Sequence, residues 1–121
     1  MSMYPNKPPL GSQIDWGDPL ARGLVGCWLM NEGGGSKIYD LSGNGNTGAI
    51  TGAIWTPGKT GSCLSFGGYP HEVSLQGMGY KVGLPFTVTA WINPAVAGIN
   101  TYRGILSTDY WNYTGAEIYY G

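Results

Sequence analysis

From Gly23 onward the chain alternates short apolar runs with glycine turns, which predicts short strands rather than helices. Leu24-Val25-Gly26-Cys27-Trp28-Leu29-Met30 is apolar throughout and predicts a strand covered on both faces. Residues 31–36 read as a loop, 38–41 as a brief extended piece, and 42–48 as a second tight loop. Thr47-Gly48-Ala49-Ile50 is echoed by Thr51-Gly52-Ala53-Ile54, too short an echo for a repeat fold. Trp55-Thr56-Pro57-Gly58-Lys59 predicts a turn, and residues 62–66 alternate with period two. A Gly-Gly-Tyr-Pro turn precedes a strand over 72–75, and a glycine-rich connection follows. Residues 86–92 form the clearest strand pattern. Phe86, Val88, Ala90 and Ile92 share one face, while Thr87, Thr89 and Trp91 share the other. Runs at 104–108 and 116–120 complete six or seven short strands, the spacing of an antiparallel β-sandwich. Trp28, Phe66, Phe86 and Trp91 are core candidates, and Trp55 is expected to pack on a sheet edge. The chain closes on its last strand, so an open edge is expected there, and open edges invite pairing with another chain.

Residues 1–23 differ from the rest. Lys7-Pro8-Pro9-Leu10-Gly11 favours polyproline geometry, and Asp18-Pro19 signals a turn. The expected organisation is an extended Pro-rich arm over 1–23, then an all-β sandwich over 24–121. Ile14, Trp16 and Leu20 are the apolar points by which the arm can lie against a partner; a flexible leader is the other reading.

Composition narrows the function classes. The chain has 121 residues with 22 glycines and 8 prolines, which could signal disorder. Its 5 Trp, 9 Tyr and 42% hydrophobic content argue instead for a folded, turn-rich domain. No window of a dozen residues escapes Gly or Pro, which disfavours long helices. Charged residues make up 11%, against about 25% in an average domain. The net charge is −1, and the six basic residues are scattered, so no nucleic-acid footprint forms. No apolar run approaches the ~20 residues of a membrane helix, so membrane insertion is not expected. Residues 1–13 lack the apolar stretch of a secretory signal. Export is then expected as a processed fragment or by another route, such as within a virus particle released by lysis.

Four stretches resemble laminin-G-like, concanavalin-A-like jelly-roll domains. Gly23-Leu24-Val25-Gly26-Cys27-Trp28-Leu29-Met30-Asn31-Glu32-Gly33 resembles their opening strand. Asp40-Leu41-Ser42-Gly43-Asn44-Gly45-Asn46-Thr47-Gly48 resembles the next loop. Lys59-Thr60-Gly61-Ser62-Cys63-Leu64-Ser65-Phe66-Gly67-Gly68 resembles the following strand, and Pro85-Phe86-Thr87-Val88-Thr89-Ala90-Trp91-Ile92-Asn93-Pro94 the central one. The resemblance implies a jelly roll of which only the N-terminal half is present. The chain is then a fragment, a shortened variant, or one part of a sandwich completed by another chain. This fold hosts lectins, glycosidases, adhesion modules and spacers, so it does not select a function.

The chemistry-bearing residues point away from catalysis. Concanavalin-like glucanases carry a Glu-x-Asp-x-x-Glu strand, and retaining hydrolysis needs two carboxyls ~5 Å apart. Glu117-Ile118-Tyr119 begins that pattern but has Tyr where Asp is required. There is no Gly-x-Ser-x-Gly elbow, and the single histidine, His71, sits in a turn without an evident partner. A glycoside hydrolase is the third reading, and the chain is expected to be no enzyme.

Asp40, Ser42, Asn44 and Asn46 place oxygens at alternating positions among glycines, which can wrap a calcium ion. An Asx-turn network satisfying the loop's own backbone is the alternative. Cys27 and Cys63 can form a disulfide or stay as thiols; without a secretory signal, thiols are expected. Tyr110-Trp111-Asn112-Tyr113 lies in a polar turn, where flat rings beside amides can stack on sugars. The same rings can equally pack on the sandwich or on a neighbouring subunit. Asn112-Tyr113-Thr114 also fits a glycosylation sequon, which without a secretory signal is expected to be a coincidence.

Together these features predict a non-catalytic carbohydrate- or surface-binding β-sandwich module on a virion or tail fibre. Its ligand would be a glycan or cell surface, and its place extracellular or on a virion surface. The alternative is a structural protein of a larger particle, such as a bacteriophage capsid, tail or decoration protein. In either case other protein chains are expected to associate through the arm and the open edge.

Overall fold

The computed structural model describes residues 7–68, 70–75, 86–94, 103–107 and 117–120. The chain divides into two compact units, Met1–Gly77 and Met78–Gly121. The described strands are all antiparallel, and the one helical element among the described residues is a 3-10 turn at Pro19–Ala21. Asp18 caps that turn, its carboxylate accepting from Leu20 N at 2.8 Å, and Pro19 opens it with a preset φ.

In the first unit β1 (Lys37–Ile38), β2 (Gly48–Thr51) and β5 (Glu72–Leu75) form a three-stranded sheet in the order β1-β2-β5. β3 (Ile54–Pro57) and β4 (Ser62–Ser65) form a separate hairpin. In the second unit β6 (Arg103–Ser107) pairs with β7 (Glu117–Tyr120), with a register shift between Gly104 and Leu106. The all-β expectation therefore holds, in sheets of three, two and two strands.

The three-stranded sheet alternates as its pattern requires. Gly48 and Ile50 of β2 face inward with Val73 and Leu75 of β5, while Ala49, Thr51, Glu72 and Ser74 are exposed. The register lines up Ile38, Gly48 and Leu75 across the three strands. Ile38 is 2% exposed. Gly48 makes this possible. A Cβ there would come within 2.6 Å of Val73 Cγ1, 2.7 Å of Ile38 Cγ1 and 3.0 Å of Leu75 Cδ2. The flanking side chains thus close over a position that has none.

Three expected elements differ. Residues 24–30 run half-buried, without strand pairing, where a fully covered strand was predicted. Loop side chains, not a neighbouring strand, bind their backbone. Residues 86–94 likewise carry no strand pairing. Phe86 is half-buried and 87–94 are exposed, with Trp91 98% exposed, so Trp91 is no core residue here. The alternation over 86–92 was legible, but a strand also needs a partner ladder. Phe66 is 48% exposed, also outside a core. Finally, the predicted turn at 55–59 begins as strand β3, which runs through Pro57. Pro57 is tolerated at the strand's last position, and Gly58 N then donates to Gly61 O at 2.7 Å to close the hairpin.

Side chains tie the hairpin to the rest of its unit. Trp55 Nε1 donates to Gly35 O at 2.9 Å. His71, just before β5, accepts from Gly67 N at 2.8 Å through Nδ1 and packs against Gly52 between β2 and β3. Gly52 has φ 73, so a side chain there would meet both strain and the imidazole.

Candidate functional site

The loop from Asp40 to Asn46 is the most densely bonded part of the described chain. Asp40 Oδ1 accepts from Cys27 N at 2.9 Å and Ser42 N at 2.8 Å. Its Oδ2 accepts from Ser42 Oγ at 2.8 Å and Asn46 N at 3.1 Å. Both oxygens of one carboxylate are thus turned inward onto protein donors. Leu41 N donates to Cys27 O at 2.8 Å, so Cys27 is held through its N–H and its carbonyl alike.

The two asparagines continue the same pattern. Asn46 is 1% exposed and its Nδ2 donates to Val25 O at 3.0 Å. Asn44 Nδ2 lies 3.1 Å from Val25 O and 3.2 Å from Leu24 O. Ser42 Oγ, 6% exposed as a residue, also lies 3.0 Å from Val25 O. Trp28 Nε1 donates to Asn46 O at 2.8 Å, and the Trp28 ring lies over Gly26, where any Cβ would collide with it. In a segment without strand partners, side chains thus meet the Leu24 and Val25 carbonyls and the Cys27 N–H, and Leu41 N meets the Cys27 carbonyl.

The electrostatics follow. Burial raises the Asp40 pKa, but the bonds from Cys27 N, Ser42 N, Ser42 Oγ and Asn46 N outweigh it and hold the carboxyl below its ordinary value. Burial, and then the Asp40 charge, push the Cys27 thiol up, which disfavours the reactive thiolate. Cys27 and Cys63 are both unbonded and half-buried.

The structure therefore brings Asp40, Ser42, Asn44 and Asn46 together, in the geometry of an Asx network that reaches across to residues 24–27. The side-chain amide nitrogens of Asn44 and Asn46 face carbonyl oxygens. A calcium ion at this loop would have to displace donors already seated on Asp40. No group of three or more His, Cys, Asp and Glu side chains able to hold a metal occurs among the described residues; a calcium loop built from amide and hydroxyl oxygens is a different donor set.

A second constellation was not foreseen beyond its proline signal. Lys7 and Pro8 of the arm are held. Lys7 Nζ donates to Met30 O at 2.9 Å and to Ser62 O at 2.6 Å, and Asn31 Nδ2 donates to Pro8 O. Glu32 stands beside them, accepting from Tyr39 N through Oε1 at 2.9 Å while its Oε2 is buried without a partner. Burial lowers the Lys7 pKa, partly offset by Cys63 and Glu32.

Tyr110, Trp111, Asn112 and Tyr113, the ring-rich candidates for ligand binding, lie outside the described residues. No helix among the described residues is long and apolar enough to cross a membrane. Comparison with family models, curated proteins and solved structures returns no match.

Proposed function

We propose that this chain is a non-catalytic, laminin-G-like β-module that works through its surface as part of a larger protein assembly, as on a virion or tail fibre. One observation carries the reading. Among the described residues the buried apolar side chains are Ala21 and Ile38 alone, while Leu10, Trp16, Leu20, Ile54, Phe66, Val88, Trp91 and Ile92 are exposed. Single exposed apolar residues are ordinary. Here they outnumber the buried ones, in a chain with 11% charge, which supports a surface that another molecule covers. The resemblance of the four sequence motifs to laminin-G-like domains supports the same reading, since that fold hosts adhesion modules and spacers.

Light scattering of the purified chain tests it. A mass of two or more chains at micromolar concentration is expected. A monomer at every concentration, with a sharp cooperative melt, would sink the assembly reading.

The second reading is glycan recognition by the same module. It is favoured by the run Tyr110-Trp111-Asn112-Tyr113, three rings and an amide in one polar stretch.

A further inference from the structure

The seat of the arm holds the least expected contacts in the molecule. The two Lys7 bonds and the Asn31–Pro8 bond bridge 23 and 55 residues of sequence, tying the 24–30 segment to β4 through one short run. Met30 is the one non-glycine among the described residues with a positive φ, 54°, and its carbonyl is one of the two that hold Lys7. That conformation is strained for an L-residue. The seat is lined by Asn31, Thr60, Gly61 and Ser62, and what it takes is a lysine followed by two prolines, a run pre-organised in polyproline geometry.

The seat reads its occupant through two main-chain carbonyls and one side-chain amide. A second copy of the chain presents the identical set. Residues 11–23, between the seated run 7–10 and the body, have the features of a hinge. Ala21 alone among them is buried, and Gly11 and Gly23, at φ 91 and 74, flank the 3-10 turn where the chain can redirect without a Cβ clash. Fully extended, this stretch reaches roughly 40 Å. Seated on its own body, the arm leaves Leu10 71%, Trp16 57% and Leu20 90% exposed, so self-docking satisfies the lysine but not the apolar points.

We propose that residues 7–10 form an exchangeable strap, seated on the chain's own socket in the isolated protein and on the same socket of a second copy in the assembly. Such exchange keeps every contact of the seat and changes only the hinge. The proposal deepens the assembly reading and rests on it.

Cross-linking in the full-length chain decides it. Pro8→Cys and Asn31→Cys are introduced together, with Cys27→Ala and Cys63→Ala removing the native thiols, and the protein is oxidised over a range of concentrations. Covalent dimers that grow with concentration, against intrachain links at high dilution, are expected. Lys7→Ala in the same paired-cysteine background provides a second check: the lysine bonds are the same in either seating, so intrachain and interchain links are both expected to fall about tenfold or more. Association that persists with only intrachain links, with no links at all, or with both kinds of link undiminished by Lys7→Ala overturns the strap and leaves the assembly reading standing. A chain that is monomeric throughout overturns both.

Discussion

Asp40 shows how one side chain can substitute for a strand. Its two oxygens accept four hydrogen bonds, one of them from Cys27 in the 24–30 segment and one from Asn46 at the loop's other end. Replacing it by alanine leaves the Cys27, Ser42 and Asn46 amides to find other partners, which costs about 2 kcal/mol. The chemical-denaturation midpoint of Asp40→Ala is therefore expected to fall clearly below that of the parent. The same residue sets an acid limit. Its carboxyl titrates below the unfolded value of about 3.9, so its contribution is complete above that pH and fades as pH falls through the folded value. Melting temperatures from pH 6 down to pH 3 are expected to fall more steeply in the parent than in Asp40→Asn, and parallel curves would contradict this. Because Asp40 is already fully bonded, adding calcium is expected to leave the melting temperature where chelator leaves it. A rise of several degrees, lost in Asp40→Asn, would instead place the ion in this loop. The alternation Asp40-x-Ser42-x-Asn44-x-Asn46 was visible in the sequence, with both its metal and its Asx readings. What the sequence could not show is that the network reaches back to Val25 and Cys27, because that contact depends on how the two segments pack rather than on spacing.

Among the elements, legibility followed hydrogen-bond partnership. β4 and β5 lie where strands were expected, whereas β2 begins at Gly48, the last residue read as loop. Residues 24–30 and 86–92 have the stronger apolar signals but no ladder among the described residues. Hydrophobic pattern reports a wish for cover, whereas strand pairing also needs a neighbour of matching length. Proline misled in the other direction, since Pro57 suggested a turn but stands at a strand's end, where its missing N–H costs no ladder bond. Gly48 is the glycine whose role was least readable, as it resembles one of many turn glycines yet sits mid-sheet between Ile38 and Leu75. Gly48→Ala is expected to destabilise by about 1–3 kcal/mol through overpacking. Val73→Ala removes the nearest obstacle, the Cγ1 at 2.6 Å. The double variant is therefore expected to lose less than the sum of the two single variants in a denaturation cycle. Strict additivity would mean that Gly48 is required for some reason other than this contact.

At the scale of the whole molecule, the question is what the exposed rings face. Assembly and glycan recognition make opposite demands on them. If neighbouring chains cover them, truncating an exposed tryptophan weakens association and leaves soluble ligands irrelevant. If a sugar stacks on them, the same truncation leaves the mass unchanged and removes binding. Two tryptophans separate the cases. Trp91 is 98% exposed among 87–94, a stretch of otherwise apolar, hydroxyl-bearing and amide residues without charge, which suits a protein neighbour. Trp111 stands between Tyr110 and Asn112 in the polar run that suits a pyranose face and its hydroxyls. Trp91→Ala is therefore expected to lower the mass seen by light scattering, and Trp111→Ala is expected to leave that mass intact. On a glycan array the parent, if it reads sugars, is expected to lose about tenfold or more in affinity on Trp111→Ala, the ~1.4 kcal/mol of a stacking anchor. A parent that binds no glycan, with a mass that falls in Trp91→Ala, leaves assembly as the work of this surface. A glycan signal abolished by Trp111→Ala in an unassociated chain reverses the order of the two readings.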